Sequence, residues 1–579
     1  MNYTEITHHL ASHGYSVSAV EVEKYRSLRI PLTIAGQEFV LVHIMVTELN
    51  MMPAFFLEDP LKYGRLAHVM VDDAFLNLGY ICVNVADSVS VNFERPELAF
   101  LEALKRTEAL IHHAVEDPDW NRSELLREFQ AGWARIADDD EKKLLCLSND
   151  GTLEILQIHK PVKKGSAGIS TMYFGLPEGS TADMESYSFV GTQVAKRERS
   201  PGRGYVIPLT TLEPAPWCKE ALQAWYARCI DNLPMHTKNT LIDKNGQWRA
   251  HEFWLVFNAD TPSGKTWFCL YLSLKNGQSG KKRLPLTNED LTIWDLSALE
   301  VSLFNKERLM PRSGANYALR DKKVLLIGCG SVGCEIADKM AATGIGTLDM
   351  SDPDTFSLDN MFRHSLSLDF VGFSKTTGLA CQLSRKYPWL KTQGLYNSTL
   401  LKFRDKQILE KYDLIIIAIG APTHERLFHE YLHREGIKTP VINSWVEGFG
   451  VGGHAVIDIP SSPGCMSCAY VDIENMSRGL SSNLNFLKDN QNITRNHAGC
   501  GTAFLPYNFI TSTQTALVAA MLATRYLQGD LQVSSRICWK GDAADAVSEG
   551  FEMTERFHAF TRSLQVIPLY NECCDRCND

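Results

Sequence analysis

At 579 residues, with 45% hydrophobic and 22% charged side chains, the chain is too long for one core and has the balance of a multidomain globular protein. Its net charge of −10, without a clustered basic face, argues against a nucleic-acid partner. The longest apolar runs, such as LIIIAIGAP at 414–422, are too short to cross a bilayer, and the opening MNYTEITHHLASHGYS has no basic stretch leading into an apolar one, so the expectation is a cytoplasmic protein with no membrane partner.

Residues 1–140 begin with a helical pattern and turn β-rich at IPLTIAGQEFVLVHIMV. They then pass through EDPLKYGRLAHVM and GYICVNVADS to a long amphipathic pattern, RPELAFLEALKRTEALIHHAV, which predicts an α+β domain. Residues 141–304 carry short apolar segments (TLEILQIHK, EFWLVFNA, WFCLYLSL) broken by Gly- and Ser-rich turns, predicting a mixed, β-rich linker domain. Its SGKT at 263–266 lacks the upstream glycine of a phosphate-binding loop, since Ala259 stands there, and reads as a hairpin turn. From 305 to 579 strand and helix patterns alternate, which predicts a doubly wound, Rossmann-like α/β domain with a parallel sheet.

The stretch KVLLIGCGSVGCEIAD, 323–338, runs a buried strand into three glycines with distinct tasks. Gly328 makes the tight turn, Gly330 lets backbone approach phosphate, and Gly333 lets helix and strand pack closely. About twenty residues on, Asp349 and Asp352 stand where a carboxylate meets ribose hydroxyls. These features suit a redox dinucleotide and a reacting nucleotide equally.

Fifteen cysteines in such a chain are expected to be thiols, metal ligands or core fillers. Cys465 with Cys468 (GCMSC) and Cys574 with Cys577 (CDRC) form two C-x-x-C pairs, the ligand set of a tetrahedral structural Zn²⁺ site, with Cys573 as a spare neighbour. Cys329, Cys334, Cys381 and Cys538 sit in apolar patterns and are expected in the core. Cys500, between Gly499 and Gly501, near His497 and just before an apolar helix, is placed for thiolate character.

The segment SDPDTFSLDNMFRHSLSLDFVGFSKTTGLA, 351–380, resembles the D-x-D … S-N-L-x-R-Q … G-x-x-K signature of the ubiquitin-activating superfamily, which includes the sulfur-carrier adenylyltransferases. The resemblance implies a ThiF-like adenylation domain that uses ATP and Mg²⁺. Asp352, Asp354, Asn360, Arg363 and Lys375 fall on its key positions, with Arg363 and Lys375 meeting phosphate charge and Asn360 orienting it. His364 replaces the usual Gln, and Gly420 and Ala421 stand where the family has its Mg²⁺-binding Asp. The same resemblance makes Cys500 the thioester-forming residue and implies a homodimer.

Residues 1–140 resemble a ubiquitin-conjugating domain, with GYICV as the active-site sequence. That implies Cys82 as a second acyl carrier and His68 at the His-Pro-Asn turn. Val69 and Met70 replace the Pro and Asn of that turn, leaving Asn84 as the nearby amide. Together the blocks resemble the activating–conjugating fusion enzymes of bacterial anti-phage (CBASS) operons. The implied activity adenylates the C-terminus of a donor protein, a cGAS/DncV-like nucleotidyltransferase, carries it on Cys500 and then Cys82, and ligates it to a target amine. A sulfur-carrier or ubiquitin-like protein adenylyltransferase explains only residues 305–579. A nicotinamide oxidoreductase leaves Arg363, Lys375 and the C-x-x-C pairs idle, and an inactive scaffold has no use for two thiols.

Overall fold

In YRSLRIPLTI the apolar residues recur at every second position, so Leu28, Ile30, Leu32 and Ile34 are buried while Arg29, Pro31 and Thr33 face solvent. That alternation marks a sheet covered on one face. The computed structural model describes all residues except 23, 73–74, 84–89, 138–141, 149, 162–167, 180–187, 248, 396–398, 473–478, 497–502 and 579. The chain forms two units: residues 1–180 with 194–304, and residues 181–193 with 305–579.

The first unit holds two sheets. After helix α1 (Tyr3–Ser12), an antiparallel meander runs β1 (Ser18–Val22), β2 (Tyr25–Ile34), β3 (Gln37–Ile44) and β4 (Phe55–Glu58). Beyond β4 lie β6 (Phe75–Ile81) and then β5 (Val69–Asp72) at the edge. Helix α2 (Pro96–Glu116) lays Phe100, Leu104 and Ile111 on this sheet, and α1 adds Ile6 and Leu10. Helices α3 (Pro118–Arg127) and α4 (Phe129–Ile136) follow.

The second sheet contains β7 (Leu144–Cys146), β8 (Glu154–Pro161), β9 (Tyr173–Pro177), β10 (Arg197–Pro208), β11 (Glu252–Thr261), β12 (Gly264–Leu274), β13 (Trp294–Leu299) and β14 (Val301–Leu303). Their spatial order is β13-β12-β11-β10-β8-β9-β7-β14. Strand β11 is buried along most of its length because Phe253, Leu255 and Phe257 enter one core while Trp254 and Val256 enter another. The SGKT stretch is the β11–β12 hairpin turn, with Thr261 paired to Gly264. Phe129, Trp133 and Ile136 of α4 pack into the core of this second sheet, ahead of the domain boundary expected at residue 140.

In the second unit, β15 (Lys323–Ile327), β16 (Thr347–Ser351), β17 (Lys391–Gly394), β18 (Leu414–Ile417) and β19 (Val441–Val446) pair in parallel. Strand β20 (Gly452–Asp458) continues the sheet antiparallel, and after the short pair β21 (Arg495–Asn496) and β22 (Ala503–Phe504) come β23 (Ser535–Lys540) and β24 (Ile567–Pro568). The order β17-β16-β15-β18-β19-β20-β23-β24 reverses direction at β15. Ligands bind in the crevice that such a reversal opens beyond the strand ends. Helices Ser331–Ala342 and Phe509–Gln528 cover one face, where Val332, Ile336, Val518 and Leu522 join the core; Phe428 and Tyr431 of helix Pro422–Arg434 cover the other. Cys329, Cys334 and Cys538 are buried, and Cys381 is half-buried.

Candidate functional site

The carboxyl ends of three strands meet at one cavity of about 390 Å³, lined among others by Gly328 after β15, Asp352 after β16, Ala418 after β18, and Lys375. Gly328 has φ of 94°, and a Cβ there would stand 2.5 Å from the Ala418 carbonyl oxygen. A Cβ on Gly333 would stand 1.9 Å from the Gly328 carbonyl oxygen. Gly330, by contrast, has open space where its Cβ would be, the opening a ligand needs to approach backbone. Helix Ser331–Ala342 starts at that point, so its N–H groups and positive dipole end face the cavity that Gly330 and Gly328 line.

Asp352 anchors the turn: one carboxylate oxygen accepts the Cys329 N–H at 2.6 Å and the other the Asp354 N–H at 2.8 Å. The Lys375 ammonium, nearly buried, is 2.8 Å from Asp354. A buried cation at a helix N-terminus suits phosphate. His364, the replacement for Gln, donates from Nε2 to the Cys329 carbonyl at 2.8 Å and accepts the Leu366 N–H on Nδ1. Burial pushes its pKa down, in keeping with this neutral form. Asp349 is taken by the Tyr412 hydroxyl at 2.8 Å.

Two expected residues stand apart from the cavity lining. Asn360 caps its own short turn, accepting from the Ser357 N–H and hydroxyl. Arg363 donates to the Leu505 carbonyl and stacks over Tyr507 and Phe504, with its guanidinium 5.0 Å and 5.8 Å from their ring centres. It reaches the chain just after residues 497–502, and Cys500 and His497 lie outside the described residues.

A second cavity of about 450 Å³ adjoins the first through Gly330, Ala418 and Ile419, and is lined further by Trp445, Tyr470 and Tyr507. Glu425 also lines it, but one carboxylate oxygen accepts the Ala421 N–H and the other the Asn443 amide, and burial raises its pKa. Asp352, Asp354 and Glu425 thus all hold protein groups, and Gly420 and Ala421 carry no ligand atom on a side chain. Asp354 gives one carboxylate oxygen to Lys375, is exposed and lines the cavity, so among these residues it is the carboxylate that would hold Mg²⁺.

The four cysteines come together across 109 residues of sequence. Cys465 Sγ lies 3.9 Å from Cys574 and 3.5 Å from Cys577, and Cys468 lies 3.5 Å from Cys577. A tetrahedral thiolate site with Zn–S bonds of ~2.3 Å has edges of ~3.8 Å, so the donor set fits a metal ion. Cys573 is exposed and outside the cluster.

In the first unit Cys82 follows β6 directly and is half-buried; its N–H donates to the His68 carbonyl at 2.9 Å. His68 stands in the turn that opens β5, with φ of 60°. Asn84 lies outside the described residues.

Residues 305–539 match the ThiF family model. That match lies within the second unit. "ATP-dependent ubiquitin transferase-like protein Cap2" from Escherichia coli (strain TW11681) is 27% identical over 227 residues, 38% of this chain and 37% of that protein. The Vibrio cholerae protein of the same name is 25% identical over 214 residues, 35% of this chain and 34% of its own. "Adenylyltransferase and sulfurtransferase MOCS3" from Danio rerio is 28% identical over 148 residues, 24% of this chain and 32% of that protein. The chain therefore matches these relatives over about a third of their length. The solved structure titled "Crystal structure of E. coli MccB + MccA-N7isoASN" aligns at 17% identity over 45% of this chain and 68% of that one, with a TM-score of 0.32.

The second unit also uses residues that sequence reasoning passed over. Tyr507 puts its hydroxyl 2.6 Å from that of Ser331, the first residue of the helix after the glycine turn, and gives Arg363 a ring to rest on. The signal available was the aromatic in LPYN just before a helix, which spacing alone does not tie to a turn 176 residues earlier.

Proposed function

We propose that the chain is an ATP-dependent protein-conjugating enzyme. The carrying observation is the joining of the glycine turn, Asp352, Asp354 and Lys375 at one cavity at the sheet's reversal point, within a segment that matches ThiF. A donor C-terminal carboxylate, entering through the adjoining cavity, attacks the α-phosphorus of ATP. Pyrophosphate leaves, and an acyl-adenylate remains. Lys375 and the helix N-terminus bear the phosphate charge, with Arg363 as the second cation for it. Mg²⁺ travels with the ATP phosphates.

The Cys500 thiol then attacks the acyl carbonyl, losing its proton and expelling AMP. Transfer to the Cys82 thiol regenerates Cys500, and a target amine takes the acyl group from Cys82 as an amide. Joining both thiols in one chain gives the second an effective concentration of roughly millimolar. The name "ATP-dependent ubiquitin transferase-like protein" of the Cap2 relatives supports the conjugation reading; anti-phage defence, with a cGAS/DncV-like nucleotidyltransferase as donor, is proposed from the sequence resemblance. Zn²⁺ in the cysteine cluster would hold the C-terminal tail. A homodimer accords with Leu358, Phe362, Leu368 and Phe373, exposed along one stretch of the ThiF-family domain. The setting proposed is the cytoplasm; among the described residues no helix is long and apolar enough to cross a membrane.

Incubation with ATP and the donor protein tests the scheme. The expected product is a DTT-sensitive adduct that disappears in Cys500→Ser and is confined to Cys500 in Cys82→Ser. An adduct that survives loss of both cysteines overturns the two-thiol order. ATP–pyrophosphate exchange without any adduct selects the sulfur-carrier adenylyltransferase reading instead.

A further inference from the structure

Cys82 is positioned through its neighbour. Its amide hangs on the His68 carbonyl, so the backbone of His68 decides where the thiol begins. His68 is in the left-handed region, a conformation that costs any residue with a Cβ and persists only when its surroundings impose it.

Here the imposing groups are on α3 and at its junction with α4. Glu128 takes the His68 N–H at 3.1 Å on one carboxylate oxygen and Nδ1 at 2.6 Å on the other. Glu124 faces Nε2 at 3.5 Å. A carboxylate opposite each ring nitrogen favours the imidazolium, the form in which both nitrogens donate. Asn121 completes the grip, accepting the Ala67 N–H at 2.7 Å and donating to the Arg65 carbonyl at 2.8 Å.

We propose that Glu124 and Glu128 are positioning residues for the Cys82 thiol, acting through the left-handed His68 whose carbonyl holds the Cys82 amide. That Cys82 carries acyl groups rests on the function proposed above; that it is held in this way does not.

The clasp has a pH dependence. The hydrogen bond from Glu128 raises the His68 pKa, burial opposes it, and the charges of Glu128 and Glu124 add to the rise. The clasp is therefore complete at low pH and is lost as pH rises through the raised value. The other charged or titratable groups nearby are Arg65 on the same loop, pushed down to about 10 by burial, and Arg127, which shares Glu124 at 2.9 Å. Arg135 on α4 gives its guanidinium to the Val71 carbonyl, and His113 stacks on Trp120, whose ring centre lies 6.4 Å from that of His68.

The test is the rate of iodoacetamide alkylation of Cys82, read by peptide mass spectrometry on the full chain from about pH 6 to about pH 9, which brackets an imidazole held above its ordinary range. Wild type should show an inflection at the His68 pKa beside the thiol's own. In the Glu124→Gln/Glu128→Gln double variant that inflection should move down by ~1 pH unit or more, since two opposite charges have left the ring. Glu124→Gln alone, which removes the longer contact, should move it less, and Glu128→Asp should restore most of it. Should the double variant fail to fold by circular dichroism, the single variants decide. Profiles that superimpose on wild type in folded variants overturn the proposal. Alkylation needs neither ATP nor donor, so an absent Cys82 adduct with a shifted profile sinks the conjugation reading alone. A normal adduct with an unshifted profile sinks the positioning role alone.

Discussion

The cavity of the second unit and the surroundings of Cys82 are held by different means. Around the cavity, β15, β16 and β18 run parallel and end together, so topology alone brings Gly328, Asp352 and Ala418 to one place. Side chains only tighten the arrangement, as when Asp352 and His364 grip the two polar groups of Cys329. Cys82 follows an antiparallel strand one position from the sheet edge, and the loop that supports it is fixed by side chains of separate helices. The lesson is that a parallel sheet can build a site by where its strands stop, whereas the antiparallel site depends on individual carboxylates and amides. It follows that the two sites should fail independently and in different ways.

The largest effect should come from the cysteine cluster. A four-thiolate metal site contributes on the order of 10 kcal/mol to the fold that binds it. With Zn²⁺ in the cluster as proposed, Cys468→Ser or a strong chelator should therefore strip it and unmoor residues 565–578, read by metal analysis and by proteolysis of the tail. Alkylation of Cys82 should not change, and if it does, the independence of the two sites is broken. Next is Lys375→Ala, which removes the buried ammonium and should lower ATP–pyrophosphate exchange by ~10²-fold, in the range for losing a preorganised phosphate-charge donor. Lys375→Arg should keep part of the rate.

The glycines divide the comparison more finely. Gly333→Ala drives a Cβ toward the Gly328 carbonyl, and such overpacking costs ~1–3 kcal/mol, so the melting temperature of the second unit should fall together with nucleotide affinity. Gly330→Ala meets open space and should leave melting unchanged while ATP binding weakens. Equal losses of stability in both variants would show that Gly330 serves the fold rather than the ligand.

How far the sequence reached follows the same division. KVLLIG and YDLIIIAIG announced buried parallel strands because a strand covered on both faces is apolar throughout, GTLDMSD followed from the alternation of strands and helices, and the glycine spacing is a local pattern. The two C-x-x-C pairs were legible because chelate spacing is local as well, even though 109 residues separate Cys465 from Cys574. Local spacing carried less of the conformation of Asn360 and Arg363, since a capping turn around Ser357 and the rings of Phe504 and Tyr507 engage them. The Glu124–His68–Glu128 clasp was invisible. Helical spacing places Glu124 and Glu128 on one face, but which loop that face meets is a tertiary fact. The packing of α4 against the second sheet was hidden for the same reason.

The smallest effect concerns a buried ionic cluster whose pH behaviour can be set beside that of His68. In the second unit His454 is fully buried with Nε2 2.6 Å from Glu447, and Glu447 also accepts the Phe486 N–H at 2.7 Å and the Leu487 N–H at 2.8 Å. Burial works against a charge on His454, but the neighbouring Cys538 sulfur, as thiolate, and Glu447 outweigh it and raise the pKa to about 9. Because the folded value lies above the unfolded one, the cluster stabilises the fold fully below about pH 6.5, and that contribution is lost as pH rises toward about 9. Thermal melts of the second unit should therefore decline across that window, and His454→Gln should flatten the slope while lowering the midpoint at pH 7. Glu124→Gln in the first unit should leave that slope intact. A slope that changes in both variants would mean that the two halves share their response to pH, and the contrast between a site made by topology and a site made by side chains would have to be abandoned.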